Sequence, residues 1–282
     1  MPPMPLQFLL RANGICSKPL LFSGGVWADT STFGGSLSLH DLKDPGAVPI
    51  TAETRDGFRV WYEMLDEVSH LLDSLLPNPD NVLADSDILK NGSRTCGGLV
   101  KLAGQQYFLK RYNDRGWVYA AQYLLRRSRA VYTWSLARHF LARGVLVPLP
   151  LICLEERRCR VLGRSYVLMQ AVDGDCLHEF WPTMNQTLKM KVLAMLGRTI
   201  GHMHRQGFLH GDLKWNNIIL CDDGASAVLV DLDGGRRLPW SSSWLARNDL
   251  GRFIQDLRSA GGGSALERQL LQSWEEGWRG QG

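Results

Sequence analysis

The chain lacks an apolar run long enough to cross a bilayer. A transmembrane helix needs about 20 predominantly apolar residues, and the most apolar uncharged stretch, Gly144 to Leu154, has eleven, two of them prolines. The opening MPPMPLQFLLR carries no positive charge before its short apolar run, Leu6 to Leu10, so the pattern of a secretory signal is missing. A cytoplasmic chain is expected. The six cysteines, Cys16, Cys96, Cys153, Cys159, Cys176 and Cys221, include no CxxC pair. That argues against a disulfide framework or a thiolate zinc site and for reduced thiols. Hydrophobic residues make up 45% of the 282 residues and charged ones 21%, which excludes a largely disordered chain, a collagen and a coiled coil.

Acid is also missing where basic residues crowd. No Asp or Glu occurs between Arg115 and Leu154. From Lys101 to Ser165 thirteen Lys and Arg face three acids, Asp114, Glu155 and Glu156; this block is +10, and since the whole chain is +4, the remainder is −6. A local basic field suits an anionic partner such as a nucleotide or a phosphorylated glycan. Arg126, Arg127 and Arg129 have no acid within ten residues on either side and are the expected centre of that field.

Residues 1–52 are rich in Gly, Ser and Pro, with few charges and no sustained periodicity; they read as a poorly ordered extension. Val60, Met64, Val68, Leu71 and Leu75 recur at spacings of three and four, which predicts an amphipathic helix from Arg55 to Leu76, ended by Pro77-Asn78-Pro79. Strands are expected at Leu99–Leu102, Gln106–Tyr112, Val145–Leu154 and Ser165–Gln170, with a charged turn at Glu155–Arg160. One helix interrupts them, with Ala130, Trp134, Ala137 and Leu141 on one face and Gly144 as its stop. Beyond Asp173-Gly174 helices dominate. Lys189–Gln206, Asp249–Leu257 and a last one bearing Leu266, Leu270, Trp274 and Trp278 flank a hairpin that turns at Asp222-Asp223-Gly224. The expected organisation is therefore an extension (1–52), a β-rich lobe (53–172) and a helix-rich lobe (173–282).

The chemistry concentrates in His210-Gly211-Asp212-Leu213-Lys214-Trp215-Asn216-Asn217 and in Asp231-Leu232-Asp233-Gly234, fourteen residues after Asn217. Phosphoryl transfer needs this set of groups. One carboxylate orients or takes the acceptor hydroxyl proton, while an amide oxygen and a second carboxylate hold a hard cation against the phosphates. The hairpin between the two segments brings them together.

HGDLKxxN followed by VLVDLDGG resembles the catalytic loop and metal-binding segment of protein-kinase-like enzymes, and within them the bacterial lipopolysaccharide kinase (Kdo/WaaP-type) family, over Asp87 to about Leu257. Aminoglycoside phosphotransferases and RIO kinases are looser relatives. The resemblance implies an α+β, two-lobed protein-kinase-like fold with a small β-rich N-lobe and a helix-rich C-lobe. By it, Asp212 is the catalytic base, Lys214 contacts the γ-phosphate, His210 supports the loop, and Asn217 and Asp231 ligate metal. Lys110 in YFLKRY resembles the strand lysine that pairs the α- and β-phosphates, with Lys101 as the alternative; strand alternation sets Phe108 and Lys110 on one face and Leu109 on the other. The loop Asn91–Gly98, with Gly92 and Gly97, takes the place of the phosphate-covering loop without matching G-x-G-x-x-G. Gln170 and Val172 fall at the adenine-binding hinge, and Asp249 resembles the aspartate that braces the catalytic loop. Position three of the usual Asp-Phe-Gly triplet is Asp233, a departure that favours the lipopolysaccharide kinases over ordinary protein kinases.

The implied activity is ATP- and Mg²⁺-dependent phosphorylation of a heptose or Kdo hydroxyl in the lipopolysaccharide inner core. The implied partners are a core glycolipid acceptor and the inner-membrane surface; no nucleic acid is expected. One feature of kinases is missing: a helix Glu to pair with Lys110. Either another element supplies it, with Glu63, Asp66 and Glu67 available, or the pair is absent. Its absence keeps a nucleotide-binding pseudokinase scaffold as an alternative, beside small-molecule and RIO-like kinases.

Overall fold

The computed structural model describes residues 50–63, 65–114, 116, 123, 127–158 and 161–280. Residues 1–49 of the expected extension and Arg126 of the basic cluster lie outside these; Ile50–Ala52 begin a strand.

The first half forms a seven-stranded antiparallel sheet in the order β1-β2-β6-β7-β5-β4-β3. Its strands are β1 (Ile50–Arg55), β2 (Phe58–Glu63), β3 (Asp87–Asn91), β4 (Thr95–Leu102), β5 (Gln105–Tyr112), β6 (Pro150–Arg158) and β7 (Val161–Gln170). Helices α1 (Asp66–Leu75) and α2 (Pro79–Ala84) follow β2, and α3 (Arg129–Leu141) lies between β5 and β6. The expected helix from Arg55 is thus corrected in its first half. Asp56 and Gly57 both adopt positive φ, 50° and 82°, as a two-residue hairpin turn requires. Helical spacing through Val60 runs across that hairpin, and only Val68, Leu71, Leu72 and Leu75 form a helical core face.

Two further expectations change. Val145–Leu149 is not strand; β6 begins at Pro150. Glu155 is not in a turn but inside β6, 1% exposed, where the Ser128 backbone N–H and Arg157 Nε donate to it, each at 2.8 Å. That carboxylate anchors the start of α3, which Ser128 caps by accepting from Val131 N at 3.2 Å, a contribution of about 1 kcal/mol.

Alternation on β5 sorts its side chains as the pleat demands. Leu109 is fully buried in the core that α1 covers, whereas Phe108 packs toward Trp134 and Met169 on the α3 side. Asp80, at the N-terminus of α2, clamps the neighbouring interior strands β5 and β7 by accepting from Arg111 Nη1 and Tyr166 Oη, each at 2.9 Å, and pairing with Arg164.

The helical half contains α4 (Leu177–Phe180), α5 (Gln186–Arg205), α6 (Ser243–Ser259) and α7 (Ser264–Arg279). Strand β8 (Asp175–Cys176) precedes α4, and between α5 and α6 run β9 (Phe208–Leu209), the hairpin β10 (Ile218–Cys221) and β11 (Ser226–Leu229), and β12 (Arg236–Arg237), which pairs with β9. Leu193, Leu196, Ile200 and Met203 of α5 are fully buried. Helix α7 approaches α5 closely: a Cβ at Gly197 would sit 2.7 Å from the Ser273 Cβ, and one at Gly201 or Gly277 would run into the Trp274 or Arg198 backbone. Among the described residues, no helix is long and apolar enough to cross a membrane.

Candidate active site

The loop from β9 to β10 carries Asp212, Lys214 and Asn217, and the turn after β11 carries Asp231 and Asp233. The hairpin joins them as expected: Val230 N donates to the Asn217 carbonyl at 2.9 Å. Asn217 Nδ2 donates to the Asp212 carbonyl at 2.9 Å and to its Oδ2 at 3.1 Å. Lys214 Nζ lies 2.7 Å from the same Oδ2. With its amide nitrogen committed, Asn217 keeps Oδ1 as an acceptor. The two turns meet so tightly that a Cβ on Gly211, at φ +80°, would collide with the Gly234 carbonyl.

The backbone of the loop between β9 and β10 is held from beneath. Asp249 of α6 accepts from His210 N and Gly211 N, both at 2.8 Å, and from His204 Nε2 at 3.1 Å. Trp274 Nε1 in turn donates to His204 Nδ1 at 2.9 Å. Burial would raise the Asp249 carboxyl, but His204 and the two backbone N–H groups outweigh it and hold it below the ordinary value. The brace reading of Asp249 therefore describes the geometry. The His210 ring is fully buried and bonded to the Val230 carbonyl at 3.0 Å; burial lowers its pKa below the usual 6.5, and a neutral ring with hydrogen on Nε2 fits that contact.

Lys110 Nζ reaches across from β5 to Asp231 Oδ1 at 2.7 Å and Asp233 Oδ2 at 2.8 Å. Lys101, the alternative, is exposed and points out of the cleft-lining set. The carboxylate missing from α3 is thus supplied by the Asp-x-Asp turn itself. Glu63 is not its source, since it pairs with Arg138 of α3. Asp233 is further held by Tyr112 Oη, donating at 2.6 Å, while that hydroxyl also contacts Thr133 Oγ1 at 3.0 Å. Asp231 adopts left-handed backbone, φ 61°, a strained geometry that clusters at functional sites. Burial would raise its carboxyl, but Lys110, by charge and hydrogen bond, and then Lys90 bring it down to about 2.

A cleft of about 290 Å³ lies between the two halves, near the lower end of small-molecule sites, roughly 300–1,000 Å³. Lys110 and Asp231 stand at its polar end, and Leu89, Phe108, Met169 and Ile219 give it apolar walls. Gln170 and Val172 line it as expected, but the Gln170 N–H is taken by the Leu149 carbonyl at 2.9 Å, so backbone donation to a base falls to Ala171 or Val172. Gly97 lines the cleft, where a Cβ would press on Phe108 at 2.8 Å. Gly92 is outside the lining; its N–H closes the β3–β4 turn onto the Thr95 carbonyl at 2.9 Å.

Among the described residues, most of the basic block is engaged internally. Arg111 and Arg164 pair with Asp80, Arg138 with Glu63, and Arg157 with Glu155. Arg129, expected to be free, donates to the Asp233 carbonyl at 2.9 Å. Sequence distance from acids did not reveal these partners because all but Arg157's lie on other elements. Lys90 was not singled out in the sequence; it sits 3.3 Å from Asp231 Oδ2 and is 54% exposed.

A β-rich half with a cleft lysine, facing a helical half with a braced Asp–Asn loop and an Asp-bearing turn, defines a two-lobed protein-kinase-like fold. Residues 82–262 match the family described as "Lipopolysaccharide kinase (Kdo/WaaP) family", and the chain belongs to that family. Two similar curated proteins are each described as "3-deoxy-D-manno-octulosonic acid kinase". One, from Xylella fastidiosa strain 9a5c, is 33% identical over 132 residues, covering 46% of this chain and 51% of that protein. The other, from strain M23, is 29% identical over 159 residues, covering 54% and 61%. The chain thus spans between half and about three-fifths of the length of these relatives. The solved structure titled "WaaP in complex with acyl carrier protein" shares the fold, with a TM-score of 0.58 at 14% identity over 77% of this chain and 89% of that one.

Proposed function

We propose that this chain transfers the γ-phosphoryl group of ATP to a sugar hydroxyl, Kdo or heptose, in the lipopolysaccharide inner core. The observation that carries this reading is the convergence of Asp212, Asn217 and Asp231, with Lys110 2.7 Å from Asp231, in a member of this family. Asp212 accepts the acceptor hydroxyl proton as the oxygen attacks in line, and Lys214, 2.7 Å from Asp212, offsets negative charge gathering on the transferred group. Lys110 holds the α- and β-phosphates. The donor set suits Mg²⁺: Asp231 stays charged, with its carboxyl near 2, and Asn217 Oδ1 is a second hard oxygen. When bound, the ion neutralises phosphate charge. His210 and Asp249 position the loop.

The strongest argument for a scaffold without activity was a lysine lacking its carboxylate. Lys110 stands beside two, Asp231 and Asp233, which weighs against that alternative. The acceptor would be a glycolipid presented at the cytoplasmic face of the inner membrane. The test is transfer of labelled phosphate from ATP by the full chain to delipidated lipopolysaccharide core sugars, read as a mass gain of one phosphate. Nucleotide binding with no transfer to Kdo or heptose acceptors overturns the reading.

A further inference from the structure

Trp240 and Trp244 are 73% and 70% exposed, the most exposed large apolar side chains among the described residues. They sit in a segment, residues 234–248, that holds no acid and three arginines, Arg236, Arg237 and Arg247. Neither indole is there by an accident of looseness. Strand β12 is paired in register with β9, Arg236 opposite Leu209 and Arg237 opposite Phe208. Leu238 N donates to the Gly207 carbonyl at 2.7 Å, and Ser242 caps α6 by accepting from Leu245 N at 3.5 Å. The segment is therefore fixed to the strand that runs directly into His210 and Asp212. Arg247 stacks on Trp274, 5.2 Å from its ring centre, but Arg236 and Arg237 are exposed.

An exposed indole is costly in water and poorly placed in hydrocarbon. It is favoured at the headgroup boundary, where its apolar body and polar N–H each find a matching medium. Arginines beside it add attraction to anionic headgroups. We propose that residues 236–244 form an interfacial contact with an anionic lipid surface: Trp240 and Trp244 enter the headgroup boundary and Arg236 and Arg237 meet lipid phosphates. The contact sets the catalytic loop beside that surface. It deepens the proposed function, resting on it only for the use of the contact, since lipid binding is measurable without any acceptor sugar.

The test uses the full chain with vesicles of phosphatidylcholine, alone or mixed equally with phosphatidylglycerol. Wild type is expected to co-sediment with the anionic vesicles and not the neutral ones, with a blue shift of indole fluorescence. Trp240→Ser with Trp244→Ser lowers partitioning by on the order of tenfold, and Arg236→Gln with Arg237→Gln by about fivefold per arginine. Both variants keep the wild-type melting temperature and the wild-type rate on delipidated core sugar. Absence of wild-type binding to anionic vesicles overturns the proposal, as does unchanged binding by the tryptophan pair. So does a segment that captures an acidic protein, such as acyl carrier protein, in place of lipid. Vesicle binding with no sugar-kinase activity upholds the contact and overturns the proposed function instead.

Discussion

Replacing Asp233 with Asn asks whether the acid of the Asp-x-Asp turn has taken over the neutralisation of Lys110. The lysine side chain is 5% exposed, with Asp231 at 2.7 Å and Asp233 at 2.8 Å. Asn preserves size and allows the hydrogen bonds to rearrange. Its Oδ1 turns to Lys110, its amide donates to Tyr112 Oη, and that hydroxyl, 3.0 Å from Thr133 Oγ1, donates there. What is lost is one charge and not the bond, about half of the 1.5–3 kcal/mol of a charge-assisted bond, roughly 0.8–1.5 kcal/mol. The expected fall in melting temperature is roughly 2–6 °C, at about 2–4 °C per kcal/mol for a chain of this size. Nucleotide binding separates this role from a merely structural one. If Asp231 were to ligate the metal, as proposed, Asp233 would be the remaining carboxylate on Lys110, and Mg²⁺–ATP affinity should fall about tenfold, equivalent to about 1.4 kcal/mol. Glu63→Gln is the contrast: it loosens Arg138 and lowers the melting temperature, yet leaves nucleotide affinity unchanged. Calorimetry and thermal unfolding on both variants decide. The reasoning is refuted by an Asp233→Asn protein that melts within about 1 °C of wild type with unchanged affinity, or by Glu63→Gln being the variant that weakens nucleotide.

Asp212→Asn should lower the transfer rate by about two to four orders of magnitude with nucleotide affinity nearly intact; wild-type turnover would show that Asp212 is not the base. Asp231→Ala should abolish Mg²⁺-dependent nucleotide binding, and unchanged Mg²⁺–ATP affinity by calorimetry would make the carboxylate structural. His210 has a folded pKa below 6.5 because its ring is buried, so the folded state binds fewer protons than the unfolded one. Its contribution to stability is complete above about pH 6.5 and is lost as pH falls toward the folded value. Melting temperature against pH should therefore slope downward with acid in wild type and less steeply in His210→Asn; identical slopes would count against it.

The elements of the candidate site were legible because their spacing is local. Asp212 and Asn217 are five residues apart, and the hairpin that delivers Asp231 announces itself by Asp222-Asp223-Gly224. The β1–β2 hairpin is concealed in the sequence because Val60, Met64 and Val68 keep helical spacing across the boundary between β2 and α1. The available signal was Asp56-Gly57 between β-branched and aromatic residues. The carboxylates beside Lys110, Asp231 and Asp233, lie 121 residues or more further along the chain, on neither α3 nor the segment of Glu63, Asp66 and Glu67. Side-chain pairing over long sequence separations, such as Arg138 with Glu63 or Arg129 with the Asp233 carbonyl, leaves no local trace. Composition therefore overstated the free charge between Lys101 and Ser165.

Because α5 and α7 approach backbone to backbone at Gly197, Gly201 and Gly277, little side-chain material can slide or repack at those three points. The amides of these two helices should exchange with deuterium only when the helical half unfolds as a whole. Those of β1, an edge strand whose last four residues are exposed, should exchange through local fraying. His204 and Trp274 lie in the slow pair and connect through Asp249 to the His210 and Gly211 backbone. The loop that would receive the acceptor is thus bolted to the part of the molecule that should open last, while the β-rich side of the cleft belongs to a sheet with a readily opened edge.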